Sequence, residues 1–283
     1  MAIATHTVSD ICLAARDAAR ALAALDTDTK NAALEAIAAA LVARSDEIVE
    51  ANARDMEAGR AGGLDAALLD RLALDPQRIA GIAAGTRAIA ALPDPVGEVV
   101  EGRRLPNGLD VRKLRVPFGV VAVVYEARPN VTIDAASLCL KSGNAVVLRG
   151  SAAAAHSNAV LASIVAPEFP EGAVALLTGG REQLAELATQ EGVVDLIIPR
   201  GGEGLKKALS EVARVPVIYA ASGNCHVYVD ASADLDDALR IVVNAKVQRP
   251  GVCNAAETLL VNADVARAFL PGMLDDLAAA GVD

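Results

Sequence analysis

Apolar residues recur at two different periods along this chain, and the change of period divides it. From Val8 to about Leu92 the sequence is Ala-rich, and Leu34, Ile37, Leu41 and Ile48 return at three- to four-residue steps, the spacing of one helix face. Thr27 or Asp28 is placed to cap that helix, which is expected to end before Gly59. Helical patterns resume from Leu64 to Leu72 and from Gln77 to Ala91, and Pro93-Asp94-Pro95 then marks a boundary, since proline cannot continue a helix.

Beyond that boundary, VVEGRRL and LDVRKLRV flank Pro106-Asn107-Gly108, and Asn-Gly between two extended alternations predicts a β-hairpin. A two-stranded ribbon is barely stable alone. The hairpin therefore reads either as an oligomerisation arm or as a surface ribbon folded back on its own domain. From Gly119 onward, short Val/Ile-rich runs alternate with helical stretches: Val120–Tyr125, Ala145–Leu148, Val174–Leu177, Leu196–Ile198, Val217–Tyr219 and Val227–Val229. This is βαβ spacing, and it predicts an α/β fold around a doubly wound, mostly parallel sheet whose ligands bind at the carboxyl ends of the strands.

Composition narrows the class. The 283 residues are 53% hydrophobic and 22% charged, which is globular, but aromatics are 2% and Trp is absent, so small aliphatic side chains must fill the core. A net charge of −10 argues against nucleic-acid binding, which needs a basic surface. The apolar stretches are broken by charges well before the roughly 20 residues of a membrane span. The start MAIATHTVSD has no basic segment followed by an apolar run, and the four cysteines share no CxxC spacing, so a cytoplasmic protein with reduced thiols is expected.

Several residues have the chemistry for a site. No GxGxxG follows any strand; the nearest approach is Arg200-Gly201-Gly202-Glu203-Gly204, which fits a phosphate cradle weakly and an ordinary strand-to-helix turn better. Arg149 and Ser151 follow the run Ala145–Leu148, where a cation and a hydroxyl would face a cofactor ribose or phosphate, although an Arg there also serves as a surface strand cap. Asn130, just past another strand, is either a donor to a developing oxyanion or a helix N-cap. Cys12 and Cys139 lie in helical patterns among Leu and Ala and read as core residues, and Cys225 reads as part of a strand end. Cys253 lies in a Pro/Gly-marked loop beside Arg249 and ahead of the strand Leu259–Val261, a setting in which a thiolate can be stabilised. The three histidines are scattered, and no His/Cys spacing suggests a metal site.

The ordered set VPFGVVAVVYEARPNVT, SGNAVVLRGS, VDLIIPRGGEGL, SGNCHVYVDASADLDDAL and QRPGVCNAAETLLV closely resembles the gamma-glutamyl phosphate reductases, a branch of the aldehyde dehydrogenase superfamily. That resemblance implies an NADPH-binding domain over residues 1–97 and 116–225, an oligomerisation hairpin over 98–115, and the start of an α/β catalytic domain over 226–283. It makes Cys253 the nucleophile, with Asn130 and the Cys253 backbone N–H holding the oxyanion. Arg149 falls where the superfamily puts a basic residue for the adenosine ribose, which fits the 2′-phosphate of NADPH, and Arg200, Gly201 and Gly202 fall at the loop near the pyrophosphate. The fold binds its dinucleotide without GxGxxG.

Ala220 stands where oxidising aldehyde dehydrogenases carry the Glu that activates water, so an acyl group on Cys253 should exchange with phosphate instead of being hydrolysed. The implied reaction is NADPH-dependent reduction of L-glutamyl 5-phosphate to L-glutamate 5-semialdehyde in proline biosynthesis, with coupling to glutamate 5-kinase and a homo-oligomer when full length. Arg249 and Arg128 are phosphate or thiolate partners or, more simply, surface ion pairs. Family members continue past residue 283, which implies that the rest of the catalytic domain is missing. The alternatives are a general NAD(P)-dependent aldehyde dehydrogenase and a binding or assembly fragment without turnover.

Overall fold

The run Val120–Tyr125 is apolar on every side chain before its final Tyr, and a strand of that kind is stable only where both of its faces are covered. In the computed structural model, which describes residues 7–219, 223–250 and 252–282, all six of its residues are buried. The chain folds as two units, Met1–Tyr219 and Ala220–Asp283.

In the first unit, five helices precede the sheet: α1 (Val8–Leu22), α2 (Thr27–Ala43), α3 (Ser45–Ala61), α4 (Ala66–Leu72) and α5 (Pro76–Ala91). The single long helix expected up to Gly59 is two helices, broken at Arg44, and α3 runs on to Ala61. The cap of α2 is Asp26, whose carboxylate accepts from Thr29 N, and not Thr27 or Asp28. An N-cap needs an extended backbone just outside the helix, and Asp26 has it (φ −74°, ψ 166°) while Thr27 already belongs to the helix. The hairpin forms as expected, β1 (Val99–Arg104) antiparallel to β2 (Asp110–Leu114), with every residue of both strands exposed. Gly108 turns the chain at φ +89°, where a side chain would be strained.

The strands β3 (Val120–Tyr125), β4 (Ala145–Arg149), β5 (Val174–Leu177) and β6 (Leu196–Arg200) form one parallel sheet in the order β5-β4-β3-β6. They are joined by α6 (Asn130–Lys141), α7 (Ala155–Val165) and α8 (Arg181–Ala188), and β6 leads into α9 (Glu203–Val212). Helices α6 and α7 cover one face, with α2, α3 and α5 packed behind them, and α1, beside α8, covers the other. Each large aliphatic side chain buried in such a core contributes about 1.5–3 kcal/mol. The chain runs outward from β3 to β5 and then crosses back to the far side of β3, so the crevice between β3 and β6 is the topological switch point. The strand expected at Val217–Tyr219 is reduced to a single bridge, Ile197 to Val217.

The second unit has its own parallel pair, β7 (His226–Val229) and β8 (Thr258–Val261), connected by α10 (Leu235–Val247) and followed by α11 (Ala263–Ala279). Val229, Ala238, Val242, Phe269 and Met273 form its core. The run Val227–Val229 thus belongs to this pair and does not extend the sheet of the first unit. No helix among the described residues is long and apolar enough to cross a membrane.

Candidate active site

The first unit brings its sequence-predicted residues to the carboxyl edge of the sheet. Strand register pairs Val124 with Arg149 on one side and Tyr125 with Arg200 on the other, so the turns after β4 and β6 flank the turn after β3. Arg149 is partly buried; its Nη2 makes one long contact, 3.4 Å, to the Gly179 carbonyl, and its Nε is buried with no hydrogen-bond partner. Burial lowers the pKa of its guanidinium. The Ser151 hydroxyl, two residues on, is likewise buried and unpartnered. Buried polar groups are nearly always paired, so an orphaned guanidinium nitrogen and, two residues on, an orphaned hydroxyl are groups able to take the oxygens of a ligand.

Its walls are built from a buried network. Tyr125 Oη and Thr132 Oγ1 are 2.7 Å apart, and Thr132 Oγ1 donates to Asn158 Oδ1 at 2.9 Å. Asn158 in turn presses on Gly150, where a Cβ would sit 2.2 Å from its Nδ2. The amides of His156 and Ser157 at the start of α7 both bond to the buried Asp55 carboxylate, at 3.1 and 2.8 Å, so the protein itself fills that helix terminus.

At the switch point, Gly202 N donates to Glu126 Oε2 at 2.9 Å, joining the turns after β6 and β3. A Cβ on Gly201 would press on two side-chain ends, lying 2.7 Å from Glu126 Cδ and 2.8 Å from Leu205 Cδ2. Arg200 is exposed. Asn130 is the first residue of α6, but the cap position belongs to Pro129 and Asn130 makes no capping bond; its Nδ2 donates instead to Asp134 Oδ2 at 2.9 Å. An Asn amide carries two hydrogens, so one remains for another acceptor. Asp134 is raised above the ordinary carboxylate value, chiefly by burial, with the Asn130 bond and the Arg200 charge acting against it. Glu126, Asp134 and Asn158 were not singled out from sequence. Only Glu126 carried a signal, its place directly after a strand.

Cys253 stands in the second unit, exposed, in the turn between α10 and β8. That turn is held by backbone bonds from Val252 N to Arg249 O and from Ala255 N to Val252 O, both 3.2 Å, and from Ala256 N to Ala245 O, 3.0 Å. Cys225 precedes β7 by one residue and donates from Sγ to the Cys253 carbonyl at 3.4 Å. Beside them Thr258 Oγ1 donates to Asn224 Oδ1 at 2.8 Å. Ala220 lies outside the described residues.

The model of the aldehyde dehydrogenase family matches residues 2–283. Gamma-glutamyl phosphate reductase from Thermobifida fusca is 53% identical over 274 residues, and that from Moorella thermoacetica is 55% identical over 274 residues. Each match covers 95% of this chain, which spans 66% of the length of either relative. The crystal structure of gamma-glutamyl phosphate reductase from Thermotoga maritima superposes with a TM-score of 0.88 at 39% identity, over 98% of this chain and 68% of that one.

Proposed function

The chain belongs to the aldehyde dehydrogenase family, and from that premise we propose that it carries the nucleophile and dinucleotide site of a reductase converting L-glutamyl 5-phosphate to L-glutamate 5-semialdehyde and phosphate. The observation that carries this reading is that Cys253 alone among the four thiols stands exposed. Burial pushes the Cys139 thiol up to about 12, and burial, helped by Glu186, pushes the Cys12 thiol up to about 11, so neither supplies thiolate at neutral pH. Cys225 is half-buried and engaged with a carbonyl, whereas Cys253 is exposed.

On this reading the Cys253 thiolate attacks the acyl phosphate carbonyl and phosphate leaves, giving a thioester on the protein. Asn130 donates its second amide hydrogen to the developing oxyanion. Arg149 and Ser151 would hold the adenosine end of a dinucleotide through its 2′-phosphate and ribose, and the Arg200-Gly201-Gly202 turn would hold its pyrophosphate. NADPH, when bound, supplies the hydride that reduces the thioester to the aldehyde. With Ala220 where a carboxylate base would stand, water is not activated and phosphate is the exchange partner. The exposed hairpin, β1 with β2, is the arm through which subunits associate. A kinase such as glutamate 5-kinase supplies the labile acyl phosphate, and the free thiols suit the cytoplasm.

The test is the reverse reaction: NADPH formation from glutamate semialdehyde and NADP, with and without phosphate, for this chain and for Cys253→Ala. Turnover that requires phosphate and disappears in the variant is expected. Phosphate-independent turnover would make the protein an ordinary aldehyde dehydrogenase, and turnover surviving in Cys253→Ala would remove the nucleophile assignment.

A further inference from the structure

Cys225 and Cys253 are 28 positions apart, yet the sulfur of one touches the main chain of the other, Sγ to carbonyl oxygen at 3.4 Å. Neither side of this contact is loose. The Cys225 carbonyl accepts from both Glu257 N, at 2.9 Å, and Thr258 N, at 3.1 Å, which fixes Cys225 at the mouth of the β7–β8 pair. On the other side, the Ala256 N to Ala245 O bond ties the Cys253 turn to the end of α10.

The carbonyl and the side chain of Cys253 branch from a single Cα, so a sulfur in contact with the first lies next to the residue that carries the second. Two cysteines bridge only where their backbones come within about 7 Å, and contact between the Cys225 sulfur and the Cys253 peptide brings the two backbones toward that range. Both residues also meet solvent, Cys253 as an exposed residue and Cys225 in part. Cys12 and Cys139 are buried in the first unit and do not compete.

We propose that Cys225 is a resolving thiol for Cys253. A hydroperoxide oxidises the Cys253 thiolate by two electrons: the O–O bond breaks, one oxygen joins sulfur as a sulfenic acid, and the other leaves as hydroxide or alcohol. The Cys225 sulfur then attacks the Cys253 sulfur, the S–S bond forms, and the sulfenic oxygen departs with the Cys225 proton as water. Cys253 is thereby held in a form that a dithiol reductant restores, instead of passing to sulfinic acid, which ordinary thiols cannot reduce. The inference needs only these two thiols and does not depend on the reaction proposed above.

The experiment treats the whole chain with hydrogen peroxide, blocks remaining thiols with iodoacetamide in denaturant, digests it, and maps the peptides by mass spectrometry. The expected product is one cross-linked peptide pair containing Cys225 and Cys253, two hydrogens lighter than the separate peptides, with both thiols recovered by dithiothreitol. In Cys225→Ser, and in Cys225→Ala as a second variant with an unchanged circular dichroism spectrum, the cross-link is lost and Cys253 is recovered mainly as sulfinic acid. Sulfinic acid at Cys253 of the unmodified sequence to the same extent as in the variants would overturn the proposal. So would a disulfide joining Cys253 to another molecule in place of Cys225.

Discussion

Gly150 and Asn158 approach each other so closely that a Cβ on the glycine would lie 2.2 Å from the amide nitrogen, with the Tyr125 ring at 3.1 Å behind it. Asn158 is buried and engaged with Thr132, so it cannot swing away into solvent. Gly150→Ala is therefore expected to cost about 1–3 kcal/mol, the usual range for overpacking a filled interior. Gly201→Ala is the contrasting case: its Cβ meets the ends of the Glu126 and Leu205 side chains, which have rotamer freedom to move. That variant should lose less than about 1 kcal/mol. Urea unfolding of the two variants beside the parent checks both figures, and equal losses would refute the argument from what each Cβ meets.

A second expectation concerns Lys30, which is 1% exposed and paired with Asp94. Burial would push the Asp94 carboxyl up, but the Lys30 ammonium, the Val96 amide and the Thr27 hydroxyl outweigh it and hold the carboxyl below its ordinary value. Lys141, also buried, has its Nζ on the Ala90 carbonyl at 2.9 Å nearby, so removing Asp94 leaves two ammonium groups in the interior without their carboxylate. Asp94→Ala should cost about 3–5 kcal/mol, and the double variant Lys30→Met/Asp94→Ala distinctly less, because an apolar replacement of the whole pair strands no charge. Denaturant midpoints of the single and double variants decide this; a double variant as unstable as the single would show that the loss is not electrostatic.

The Lys30–Asp94 pair also shows what the sequence could and could not disclose. Pro93-Asp94-Pro95 marks a boundary because proline forbids helix, and the boundary is there, but that the Asp between them turns inward to a buried lysine depends on helix packing, which no local pattern records. The same holds at the site. Strand ends after short Val/Ile runs were legible because burial on both faces demands such runs, and they located Arg149, Ser151, Asn130 and the Arg200-Gly201-Gly202 turn at one edge. Which polar groups meet there was not legible: Asn158 and Thr132 are 26 positions apart, and Glu126 and Gly202 are 76 apart. The break of the predicted long helix at Arg44 was missed because the residues around it, Ala43, Arg44 and Ser45, include neither Gly nor Pro.

A pH dependence follows from Asp134. Its carboxyl is raised in the folded chain, chiefly by burial, so between the ordinary Asp value and the raised one the native state holds more proton than the unfolded state. Stability from this group is then fully present below the ordinary value and is lost as pH rises through the raised one. Asp134→Asn removes that loss and can still accept from the Asn130 amide through its own oxygen. The difference in unfolding free energy, variant minus parent, is expected to grow in the variant's favour as pH is raised from the ordinary carboxylate range toward neutrality. A difference that stays flat with pH would mean that Asp134 is not raised.

The Arg149 guanidinium carries the cofactor preference in the proposed reaction, and its unpartnered, buried Nε makes the expectation quantitative. A neighbouring phosphate would give that nitrogen the acceptor it lacks, and a charge-assisted hydrogen bond contributes about 1.5–3 kcal/mol. Arg149→Ala should therefore weaken NADPH binding by roughly 10- to 100-fold, read from titration of the dinucleotide fluorescence. NADH lacks the 2′-phosphate, so its affinity should change far less. Arg149→Lys keeps the charge but not the planar fork, and should recover part of the NADPH affinity. If the alanine variant loses NADPH and NADH equally, the side chain supports the turn after β4 by packing and does not read the phosphate.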